Sequence, residues 1–122
     1  MDISELRLGN YIIYEATTHI LTSISNAGLC TSKWWRDDEI ETEYYHNVSE
    51  AAPIPLTKEW LDRAKLQLVK GDCYYITSYF SVDIEGHLYY SNDYTGINVT
   101  TVHNLQNLYY ALTGEELTFK TV

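Results

Sequence analysis

Basic residues are scarce in this sequence: its 122 positions hold eight Lys and Arg against 17 Asp and Glu, a formal net charge of −9. A protein that grips a duplex through its phosphates needs the opposite surplus to displace counterions, so duplex nucleic acid is not an expected partner. Cysteine is nearly absent. Cys30 and Cys73 make no CxxC and have no histidine beside them, which is neither a zinc spacing nor a redox motif, and two reduced thiols are expected. Two prolines and six glycines are too few for a disordered or collagen-like chain. With 45% apolar residues, 1–122 is expected to fold as a single domain with a core of its own. No run approaches the roughly 18 continuous apolar residues of a membrane span. The opening Met-Asp-Ile-Ser-Glu lacks the basic and apolar regions of a signal peptide, so a cytoplasmic protein away from membranes is expected.

Reaction signatures are also missing. None of the glycines sits in a G-x-S-x-G elbow, and no glycine cluster precedes a helix in the manner of a phosphate loop. The four histidines, His19, His46, His87 and His103, are scattered, with none four residues from another and none beside a cysteine. The sequence therefore predicts no catalytic residue, no metal ligand and no cofactor. His103 reads as a surface or capping residue in the first turn of a helix.

Aromatics are what the chain has in quantity: 12 Tyr, 3 Trp and 2 Phe. Tyr44-Tyr45, Tyr74-Tyr75 and Tyr89-Tyr90 are adjacent pairs, and neighbours in a strand face opposite sides. One member of each pair can fill core while the other meets solvent, as tyrosine does in binding surfaces.

The fold class read from patterning is α+β. Gly9-Asn10, then runs up to Tyr14, from His19 to Ser25 and from Leu29 to Trp35, give three short strands with tight turns. An SH3-like barrel is the arrangement this start suggests for the N-terminal half. A helix is predicted over 57–66, with Thr57 as N-cap and Trp60, Leu61 and Ala64 inward. Cys73 to Tyr90 reads as a hairpin, with Tyr74, Ile76, Ser78, Phe80 and Val82 on one face and a turn at Glu85-Gly86. Asn92 to Gly96 reads as a second turn. A closing helix is predicted over 102–112, capped by Thr100 or Thr101 and ended by Gly114 at C′. Leu117 to Phe119 suggests a last strand.

The candidate binding residues cluster in one stretch. Trp34 and Trp35 cannot both point into the core of a strand that has only one buried face, unless another element covers the second. Lys33 and Arg36 flank them, so an exposed Trp could stack on a planar ring while a neighbouring cation meets an anion. Glu39, Glu41 and Glu43 share one face at two-residue spacing, where they repel unless a basic partner joins them. A solvated acidic edge is the plainer reading of that run. Tyr44 and Tyr45 follow it.

Three segments resemble a known family. Ser4 to Asn10 (SELRLGN), Ile54 to Leu61 (IPLTKEWL) and Val102 to Leu117 (VHNLQNLYYALTGEEL) are similar, in the same order, to small proteins encoded by phages and mobile elements of Bacteroides-type bacteria. Two departures stand out: Asp62-Arg63-Ala64-Lys65 replaces the aromatic and glycine usual after Trp-Leu, and Trp34 to Tyr45 has no counterpart. The family carries no established catalytic residues. The resemblance implies an accessory, non-enzymatic product acting in the cytoplasm of a bacterial host cell, one that sequesters a host component or neutralises a defence. Its partner would be a host protein, met through acidic and tyrosine-rich surface, or a small nucleotide. Two other classes stay open, a small enzyme whose Tyr, His and Asp meet only in three dimensions and a structural virion component.

Overall fold

The computed structural model describes residues 3–35, 42–68 and 72–120. The chain divides into two compact units, Met1–Ile54 and Pro55–Lys120.

The first unit is built on β1 (Tyr11–Tyr14), β2 (Thr17–Ile24), β3 (Leu29–Trp34), β4 (Glu43–Asn47) and β5 (Ala51–Ala52). They form one antiparallel sheet in the order β4-β3-β2-β1-β5. The three strands expected from the turn spacing are present. The barrel is not: the sheet stays open, with β4 and β5 as unjoined edges. A register shift between Leu21 and Ser23 interrupts β2 against β3. Tyr14 pairs with Thr17 across a two-residue turn in which Glu15 and Ala16 both hold positive φ, 49° and 63°. That turn follows the twist of the hairpin, although neither residue is the glycine or asparagine that adopts it most readily. Ile12, Leu21, Cys30, Val48 and Ala51 form the core, with Leu6 and Ile24 packed against it.

The second unit runs α1 (Lys58–Arg63), β6 (Gln67–Leu68), β7 (Cys73–Tyr75), β8 (Phe80–Asp83), β9 (His87–Tyr90), β10 (Asp93–Asn98) and α2 (Val102–Thr113). Its sheet is an antiparallel meander, β10-β9-β8-β7-β6. Both predicted helix starts are in place. Thr57 Oγ1 accepts the amide of Trp60 at 3.4 Å and Thr101 Oγ1 that of Asn104 at 3.2 Å. Gly114 ends α2 at φ 74°. Buried Leu61, Ala64, Tyr74, Ile76, Val82, Leu88, Val99, Val102 and Leu105 supply the apolar interior.

Four expectations fail here. The first helix stops at Arg63, three residues short, because Lys65 turns to positive φ and β6 begins at Gln67. The alternating run from Tyr74 to Val82 is two strands folded on each other, since Thr77 Oγ1 accepts the amides of Tyr79 and Phe80 and turns the chain between them. Asn92 to Gly96 is mostly strand. The turn is Ser91-Asn92, both at positive φ, and Gly96 at φ 83° lies where the register between β10 and β9 shifts. Leu117 to Phe119 forms no strand, although Leu117 and Phe119 are buried and Phe119 meets Trp60 edge-on at 5.3 Å. Among the described residues no helix is long and apolar enough to cross a membrane.

Candidate functional site

Strands β3 and β4 pair so that Lys33 faces Glu43, Ser32 faces Tyr44 and Thr31 faces Tyr45. Alternation divides the predicted residues between two faces. Lys33, Glu43 and Tyr45 share one, Trp34 and Tyr44 the other. Trp34 is 42% exposed and Tyr45 82% exposed, so each face of the hairpin presents one large aromatic. Trp35 does different work. It lies half-buried and edge-on to Tyr11 at 5.2 Å, and its amide extends the pairing by donating to Thr18 O at 2.9 Å. Burial pushes the phenol of Tyr11 up to about 12. Tyr44 is half-buried. Arg36, Glu39 and Glu41 lie outside the described residues. The other two tyrosine pairs alternate as expected: Tyr74 is buried beside exposed Tyr75, and Tyr89 is half-buried beside exposed Tyr90.

The sheet face that carries Tyr44 also carries a polar layer the sequence did not announce. Ser32 Oγ lies 3.0 Å from His19 Nδ1 and 2.9 Å from His46 Nε2. Cys30 Sγ sits 3.4 Å from His46 Nδ1 and donates to His46 O at 3.3 Å. All four residues are buried. Tyr14 covers them, its ring stacked on His46 at 3.8 Å and 10° and edge-on to His19 at 5.4 Å. Burial raises the Cys30 thiol above its usual range, helped by the Glu50 carboxylate. Burial, with His46 adding to it, holds His19 below the usual imidazole range. Cys30 pairs with His46 and His19 with Trp34 across the sheet, so contacts between residues far apart in sequence follow from register alone. The one local signal was the alternation of Cys30, Ser32 and Trp34.

In the second unit, His103 is buried on α2, against the expectation of a surface position; the buried face of the helix continues through Val102, His103 and Gln106. Asp83 gathers the other polar groups. Its Oδ1 accepts the amides of Glu85 and His87, and its Oδ2 accepts His87 Nδ1 and Tyr89 Oη, all at 2.9–3.0 Å. Burial alone would raise this carboxyl, but the bonds from His87, Tyr89 and the backbone outweigh it and hold it below its usual range. With both oxygens engaged, Oδ1 by two backbone amides, Asp83 builds the β8–β9 turn. The same unit has a cleft of about 480 Å³, lined by Lys65, Gln67, Tyr75, Thr77, Ser78 and Tyr109 among others. Among the described residues its lining has one cation, two phenol rings and no carboxylate. Cys30 and Cys73 are both free thiols.

Comparison with known proteins gives no match: no family model fits the chain, and no curated protein or solved structure is similar to it.

Proposed function

We propose that this chain is a non-enzymatic binding protein that sequesters a host protein through the β3–β4 hairpin, as an accessory product of a phage or mobile element in a bacterial cytoplasm. The observation that carries this reading is the exposure of Trp34 and Tyr45 on one edge hairpin. Large aromatics left in solvent lose apolar hydration when covered and cost little side-chain entropy, which is why such residues anchor interfaces. The outer edge of β4, paired with no other described strand, offers backbone donors and acceptors beside them. Glu43 and the net charge of −9 favour a basic partner surface.

The test is retention of a host protein from lysate by the wild type and by Trp34→Ala and Tyr45→Ala, with native mass spectrometry as readout. Each variant should lose about 2 kcal/mol of binding, roughly a thirtyfold weakening, while keeping its fold. Equal retention by folded variants would contradict the reading. Duplex DNA at physiological salt should not compete.

A second reading, capture of a small nucleotide, is favoured by the cleft of the second unit, where Lys65 could meet a phosphate and Tyr75 or Tyr109 a base. A bound small molecule lost in Lys65→Ala and kept in Trp34→Ala would select it.

A further inference from the structure

We propose that the buried His19–Ser32–His46 layer is a binding site for a single proton. The argument is a count of hydrogens. Five contacts run in line from one backbone carbonyl to another: Tyr14 O to Thr17 Oγ1 at 2.9 Å, Thr17 Oγ1 to His19 Nε2 at 3.0 Å, His19 Nδ1 to Ser32 Oγ at 3.0 Å, Ser32 Oγ to His46 Nε2 at 2.9 Å, and His46 Nδ1 to Asn47 O at 3.1 Å. Carbonyl oxygens only accept, so all five bonds must be filled from the groups between them. Thr17 and Ser32 bring one hydrogen each, and each neutral imidazole brings one. Four hydrogens cannot fill five contacts, whichever way the bonds point. One added proton fills them all and makes one of the rings an imidazolium.

A second proton fills no further contact. With both rings charged, Ser32 Oγ accepts an N–H on either side, its own hydrogen has no acceptor within the five contacts, and two cations stand one hydroxyl apart in a buried site. The lowered titration of His19, caused by burial and by His46, agrees with that refusal. The surroundings favour a single cation. Tyr14 on β1 stacks on His46 and so offers its π surface to the layer, while Tyr44 on β4 meets His19 at 5.2 Å in a T-shaped contact. Glu15 in the β1–β2 turn raises His19, and Glu50 after β4 acts on Tyr14 and Cys30. Lys33, the one described cation of β3, sits on the opposite face of the sheet.

The test is the imidazole nitrogen spectrum of histidine-labelled protein from about pH 8 to about pH 5, where this side chain ordinarily titrates. In the folded wild type one of His19 and His46 should become charged while the other stays neutral. Thr17→Val removes two contacts but only one hydrogen, so the remaining three contacts are filled without any added proton. Proton binding by the layer should then weaken at least about threefold. Independent charging of both rings in the folded wild type, charging of neither before it unfolds, or an unchanged midpoint in folded Thr17→Val would overturn the proposal. The wild-type titration decides the matter even if the variant fails to fold.

Discussion

Each unit builds a five-stranded antiparallel sheet, and the two fill its buried face differently. The first unit buries Asn10, His19, Thr31, Ser32 and His46 beside a short apolar cluster. The second buries mainly apolar side chains, Tyr74, Ile76, Val82 and Leu88 on strands and Leu61, Val102 and Leu105 on helices, with His103 and Gln106 as the buried polar residues of α2. An apolar interior takes its stability from area removed from water and tolerates small shifts. A buried hydrogen-bonded layer contributes less net stability per contact, fixes its members in one arrangement and loses much when one partner goes. On the proton-site proposal the first unit's layer responds to protonation, while the second unit takes most of its stability from apolar burial.

Substitutions can break this comparison at either end. The largest effect is expected at Gly86 in the second unit. A Cβ there would lie 2.3 Å from Val99 O, on a backbone at φ +89° whose carbonyl accepts the Val99 amide at 2.7 Å. Gly86→Ala should cost about 3 kcal/mol or more in urea unfolding, with faster hydrogen exchange in β8 to β10. Ser32→Ala strands two buried imidazoles and should cost about 1–3 kcal/mol, with faster exchange confined to β1 to β4. If Ser32→Ala were neutral, the polar layer would not be holding the first unit.

Acid should separate the units in the same way. The unfolded chain protonates both histidines below about pH 6.5, whereas folding holds His19 below its usual range, so the unfolded state binds more protons. The stability that His19 contributes is present above that pH and is lost as pH falls through it. Exchange rates in β2 and β3 should rise on acidification before those in β8 and β9.

Smaller effects sharpen the contrast. Thr101→Ala removes the cap of α2 and should cost about 1 kcal/mol in the second unit. Ala16→Gly should stabilise the first by about 0.5 kcal/mol, because φ 63° strains alanine and suits glycine, less the extra freedom glycine has when unfolded. Thermal unfolding measures both.

How far the sequence could be read follows the range of the interactions involved. Helix starts were legible because Thr57 and Thr101 act within three residues of themselves. The tyrosine pairs were legible because alternation is local. The break at Thr77 was hidden, since threonine is also a strand former and the alternation runs on through the turn. Gly96 looked like a turn because a glycine in a bulge carries the same letter. The polar layer was out of reach: His19, Cys30, Ser32 and His46 come from three strands, and only the pairing register brings them together. For the candidate surface, the sequence left open whether either tryptophan of the pair is exposed, since only the tertiary fold leaves Trp34 in solvent and sets Trp35 against Tyr11.

The central claim, that the first unit carries the binding surface, is tested most directly by amide hydrogen exchange on the complex with the retained host protein. The account predicts protection on binding at Lys33, Trp34 and Glu43–Asn47, with the lining of the second unit's cleft unchanged. Protection at Lys65, Gln67 and Tyr75 to Ser78, with β3 and β4 exchanging as in the free protein, would contradict it.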